Sequence, residues 1–61
     1  MMEYLYGMRS RGYGPGHQPI EGLLRVAPGG GRYHELLIYN RELTEEELKE
    51  YELDYINEVD R

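Results

Sequence analysis

A chain of 61 residues without a cysteine has to close its fold by packing alone. Domains this short bury a smaller share of their surface than larger ones, and most add a disulfide, a metal or a partner chain. Disulfides and thiolate zinc sites are excluded here. His17 and His34 are the only histidines, too few for a familiar zinc set without carboxylates. Self-association is the staple that remains. The expectation is a homodimer or higher oligomer with no cofactor and no metal.

The absence of cysteine fits a reducing compartment. No apolar run approaches the roughly 18 residues of a membrane span, and no signal-peptide core is visible. The expected location is therefore the cytoplasm, with no membrane contact. Charge divides the chain in two. Residues 1–41 carry five arginines against three glutamates, a net +2, whereas residues 42–61 carry nine acids against Lys49 and Arg61, a net −7. An acidic tail repels duplex phosphates, so general nucleic-acid binding is not expected.

Residues 2–9 alternate as a strand does, with Tyr4, Tyr6 and Met8 on one face and Glu3, Leu5, Gly7 and Arg9 on the other. Gly7 marks a bulge or a close backbone approach. Residues 10–19 are turn-forming throughout and read as an ordered loop. Residues 23–27 form a second strand, residues 28–31 a turn, and residues 33–40 a third strand, making an antiparallel hairpin. In that third strand Leu36 and Ile38 share one face, and Leu37 and Tyr39 the other. One sheet face packs on a helix; the other needs cover, which a second subunit would supply.

The helix starts at Thr44, an N-cap whose capping box Glu47 completes, with Leu43 and Leu48 spaced as a hydrophobic staple. Glu45, Glu46 and Glu47 favour its positive end. Leu48, Tyr51, Tyr55, Ile56 and Val59 recur at helical spacing, which predicts a helix running toward the C-terminus. Leu53 lies off that stripe, as a partner contact would. The expected fold is α+β: one β-β-β-α domain over residues 1–61, with a three-stranded antiparallel sheet and one C-terminal helix.

Nothing in the sequence assembles a catalytic set. Thr44 is explained as a cap, and His34 and Glu35 are neighbours that face opposite sides of a strand. The helix carboxylates read as a solvated face. The chain is not expected to be an enzyme. Around the glycines of residues 12–16 stand Arg9, Arg11, His17 and Gln18. Such a loop can turn successive N–H groups inward on an anion, and arginine forks match phosphate or carboxylate oxygens. The plainer reading is a turn-rich connection whose arginines pair with the acidic helix. Tyr13 sits in the same loop without a packing role, which makes it a candidate for direct partner or ligand contact. The other tyrosines suit half-buried positions: Tyr51 and Tyr55 on the helix stripe, and Tyr4, Tyr6, Tyr33 and Tyr39 over the sheet faces. Tyr4, Tyr6 and Tyr39, together with Leu53, are the expected oligomer contacts.

The string YLYGMRSRGYGPGHQP, followed by RYHELLIYNRELTEEELKEYELDYI, resembles a family of very short proteins from low-GC Gram-positive bacteria and their phages. Members run YGMR-x-RG, then QP, then a strand of the type YxxLLVYxR, then ExxxYELDY. The family in turn resembles counter-defence factors, such as inhibitors of restriction, CRISPR or Hachiman systems. The resemblance implies a phage-type, non-enzymatic inhibitor that binds a component of a bacterial immune system. The family carries a small residue where this chain has His17, which argues against an obligatory chemical role there. Two other functions stay open. One is an oligomeric sponge holding a nucleotide immune signal, with Arg9 and Arg11 on phosphates and Tyr13 stacked on a base. The other is a regulatory or structural module of the host.

Overall fold

The computed structural model describes residues 1–9 and 18–61. Its elements follow in the order β1 (Met2–Met8), β2 (Leu23–Pro28), β3 (Glu35–Tyr39), α1 (Glu45–Glu50) and β4 (Leu53–Asp60). The strands form one four-stranded sheet in the order β2-β3-β1-β4. Every neighbouring pair in it is antiparallel. The fold is α+β, as the sequence suggested. Its topology differs: the sheet has a fourth strand, the helix is short and internal, and the order is β-β-β-α-β.

The helix begins where its cap predicts. Thr44 Oγ1 accepts from the Glu47 N–H at 3.1 Å, and the Glu47 carboxylate accepts from the Thr44 N–H at 2.9 Å. It ends after six residues at Glu50. Glu52 then takes φ 55, a left-handed conformation that costs a residue with a Cβ about 1 kcal/mol. In that turn the Glu52 carbonyl accepts from the Arg9 N–H at 3.1 Å. The contact lays the remaining residues alongside β1.

The apolar stripe that pointed to a longer helix has a second reading. Leu53 and Tyr55 alternate as strand residues do, and so do Asn57 and Val59. The register against β1 jumps from Tyr6↔Tyr55 to Leu5↔Asn57, which leaves Ile56 as a bulge between the two alternating pairs. Tyrosine, isoleucine and valine are strand formers, and β1 offered an unpaired edge. Tertiary pairing decided the outcome.

Burial follows the alternation. Tyr6, Met8, Leu37, Tyr39, Leu43 and Leu53 make the core, with Tyr4, Leu23, Leu48 and Tyr51 packed against it. That is the sheet face covered by α1 and the segment leading into it. Leu53 is a correction: it is 2% exposed and, paired with Met8, lies in the core and not on a free surface. Tyr55 is corrected in the opposite sense, being 49% exposed rather than core.

The buried tyrosines do more than fill space. Tyr39 donates to the Pro19 carbonyl at 2.7 Å, and the Tyr6 hydroxyl accepts from the Leu43 N–H at 2.9 Å. Each ring therefore packs in the core while its hydroxyl anchors a connecting segment. Tyr6 also meets Tyr39 and Tyr55 edge-on, with centroids 5.9 Å apart in both pairs. Gly7 is the close approach its position suggested. The Tyr33 ring lies over it, and a Cβ there would sit 2.5 Å from that ring.

Candidate functional site

Three regions could carry function, and each is set by the sheet's two faces and its edges. The first is the arginine-glycine segment singled out in the sequence. Arg11, Tyr13 and His17 lie outside the described residues. Of the two members that are described, Gln18 is half-buried and Arg9 is exposed. Arg9 Nε reaches Asp54 Oδ1 at 3.2 Å, while Tyr33 donates to the other oxygen of the same carboxylate at 3.1 Å. Arg9 is thus tied to β4, to a strand carboxylate and not to the acidic helix that the plainer expectation gave it as partner.

The proposed oligomer contacts are also accounted for within one chain. Tyr6, Tyr39 and Leu53 are core residues, exposed by 2%, 0% and 2%, so they have no surface to offer a second subunit. Tyr4 is half-buried against the same core. Burial pushes the Tyr39 hydroxyl up to about 12 and raises that of Tyr6. Both remain neutral donors or acceptors at physiological pH.

The second region is acidic. Glu42, Glu45, Glu46, Glu50, Glu52, Glu58 and Asp60 are all exposed along α1, the turn and β4. Two acids of the same stretch have structural duties. Asp54 holds Arg9 and Tyr33. Glu47 receives both arms of the Arg41 guanidinium at 2.9 Å each. Arg41 also donates to the Glu21 carbonyl at 2.8 Å and lies over the Tyr39 ring. The Arg41 fork is the main reason the Glu47 carboxyl is held down at about 2, with the Thr44 N–H adding to it. Of the exposed acids, Glu58 accepts from the Tyr55 hydroxyl at 2.7 Å, and Asp60 meets the N-terminal amine at 3.2 Å. The β4 strand is a sheet edge, and Tyr55, Ile56 and Val59 show partly exposed apolar surface beside these charges.

The third region was not found from the sequence. On the sheet face away from α1, Glu3, Leu5, Arg25, Ile38, Val59 and Arg61 line a concavity of about 210 Å³. Register brings them together: Glu3 is opposite Val59, and Leu5 and Arg25 are both opposite Ile38. Glu3 is 7% exposed, yet it accepts from Arg25 at 2.6 Å and lies 3.3 Å from Arg61 Nε. The Arg25 hydrogen bond, helped by the charges of Arg25 and Arg61, holds its carboxyl below the usual range against the cost of desolvation. Glu3 had read only as a polar member of an alternating strand. The signal that could have exposed it was a charge on the same strand face as Leu5, on a sheet whose second face has no helix.

Among the described residues, no group of three or more His, Cys, Asp or Glu side chains is placed to hold a metal, and no helix is long and apolar enough to cross a membrane. Among protein families, the model described as Defence against restriction A C-terminal matches residues 1–58. No curated protein and no solved structure matches the chain.

Proposed function

We propose, from the premise that this chain belongs to the Defence against restriction A C-terminal family, that it blocks a bacterial immune component by binding it rather than by catalysis. The family gives a broadly anti-defence role of the phage anti-restriction type. The observation that carries the finer reading is the acidic display on α1, the turn and β4. Residues 42–61 hold a net charge of −7, and most of those carboxylates face solvent. Proteins that act on DNA present basic clefts to its phosphates, which recur about every 1.7 Å along the duplex. A compact run of fixed carboxylates competes for such a cleft by charge, and the apolar side chains of β4 add contact area that salt does not screen.

The target in this reading is a DNA-handling protein of a bacterial defence system, met in the cytoplasm of the infected cell. The test is a plating assay in a restricting host that expresses the triple variant Glu46→Gln, Glu50→Gln, Glu52→Gln. These side chains are exposed, and surface changes of this kind shift stability by only about 0.5 kcal/mol each. Protection should fall at least tenfold while the purified variant stays folded. A folded variant that protects as well as the parent refutes the acidic-surface reading.

A further inference from the structure

On the sheet face opposite the acidic helix, a buried carboxylate holds two arginines at the rim of an apolar hollow. We propose that this hollow is a binding site for a small monoanion: a carboxylate carried on a compact, branched apolar body. The inference goes beyond the anti-defence reading and does not depend on it.

Three features define the ligand. The floor is apolar, formed by Leu5, Ile38 and Val59, and at about 210 Å³ the space suits a group of roughly side-chain size. The rim is cationic and accessible, with the Arg25 and Arg61 side chains 50% and 64% exposed. Each guanidinium has five N–H donors. Arg25 uses Nη2 on Glu3, and Arg61 turns Nε toward it. Donors on both remain to be directed at a ligand. Finally, the head group is selected by shape and hydration. An arginine fork matches the two oxygens of a carboxylate, whereas a phosphate monoester brings a more strongly hydrated head to an apolar rim.

Glu3 explains how the rim is built. Two arginines at the rim of one hollow would repel and sample many rotamers. A carboxylate between them, buried and ionised, fixes their positions before a ligand arrives, which lowers the ordering cost of binding. A salt bridge placed only for stability has no need of an empty apolar floor next to it.

The experiment follows the methyl resonances of Leu5, Ile38 and Val59 in the full chain, titrated with 4-methylpentanoate, its carboxamide, isopentyl phosphate, N-acetyl-alanyl-leucine and that peptide's C-terminal amide. The two acids should shift these methyls with saturable, millimolar-range curves, and each amide should bind at least tenfold more weakly, as the loss of a charge-assisted pair predicts. The tighter of the two acids identifies the source as a free acid or a chain terminus. Arg25→Gln should weaken acid binding at least tenfold. If that variant does not fold, Val59→Phe, which fills the hollow from an exposed position, should abolish the shifts. Equal response to acids and amides, a preference for the phosphate, or no methyl shift with any probe overturns the proposal.

Discussion

Replacing Glu47 with Gln removes the charge from the most heavily bonded carboxylate in the described chain. Glu47 accepts two hydrogen bonds from Arg41 and one from the Thr44 N–H, each 2.9 Å long. Its carboxyl sits at about 2 against an ordinary 4.5. At about 1.36 kcal/mol per unit, that difference sets a ceiling near 3 kcal/mol. Arg41 and Glu47 are each 26% exposed, and solvent screening brings the expected loss to about 1–2 kcal/mol. With a urea slope of about 1 kcal/mol per molar for a chain this small, the midpoint should fall by about 1–2 M. A carboxyl depressed in the folded state stabilises above its unfolded value, and that stabilisation is lost as pH falls through the folded one. The difference between parent and variant should be widest near neutral pH and should close between about 4.5 and about 2. Urea titrations monitored by circular dichroism across that range measure it. A difference that stays constant with pH, or is absent at pH 7, refutes the reasoning.

Other substitutions test the packing. Leu53→Ala should cost about 2–5 kcal/mol, as truncations in a filled core do, seen as a collapse of the thermal melt at unchanged molecular mass. A melt like the parent's would return Leu53 to the surface. Gly7→Ala should displace the Tyr33 ring and cost about 1–3 kcal/mol, and Tyr33→Ala in the same chain should recover part of that loss. Recovery is the discriminating result, since independent sites would simply add. Tyr39, held up at about 12, should contribute stability that is complete below about pH 10 and lost as pH rises through 12. Ultraviolet titration of the folded protein should find the two buried phenols, Tyr39 and Tyr6, ionising only with unfolding.

The readable parts of this fold were those fixed by local chemistry. Thr44 and Glu47 are near neighbours in sequence, so their reciprocal bonds are visible in the letters. The hairpin around residues 28–31 and the alternation of β1 are local in the same way. What could not be read was where pairing across the chain would overrule periodicity. Residues 51–60 fit a helical stripe and a bulged strand about equally well, and only the vacant edge of β1, set by contacts more than forty positions away, decides between them. The hollow at Glu3 was hidden for the same reason. Its lining comes from β1, β2, β3, β4 and the residue after it, and no sequence window holds more than two of the six residues. The Glu47 fork sits between these cases: the cap was legible, but Arg41 and its carbonyl partner at Glu21 were not.

The first and last strands of the sheet lie side by side and antiparallel, with Met2 opposite Asp60 and the main chains of Met1 and Arg61 bonded directly to each other. Tension applied at the two ends therefore falls on a single rung at a time: first the terminal bonds, then the next pair inward. That is unzipping rather than shear, and rungs broken one after another resist far less than a whole row sheared at once. A molecule that holds its target through α1 and the outer rim of β4 would thus have its mechanical weak point along the inner rim of that same strand.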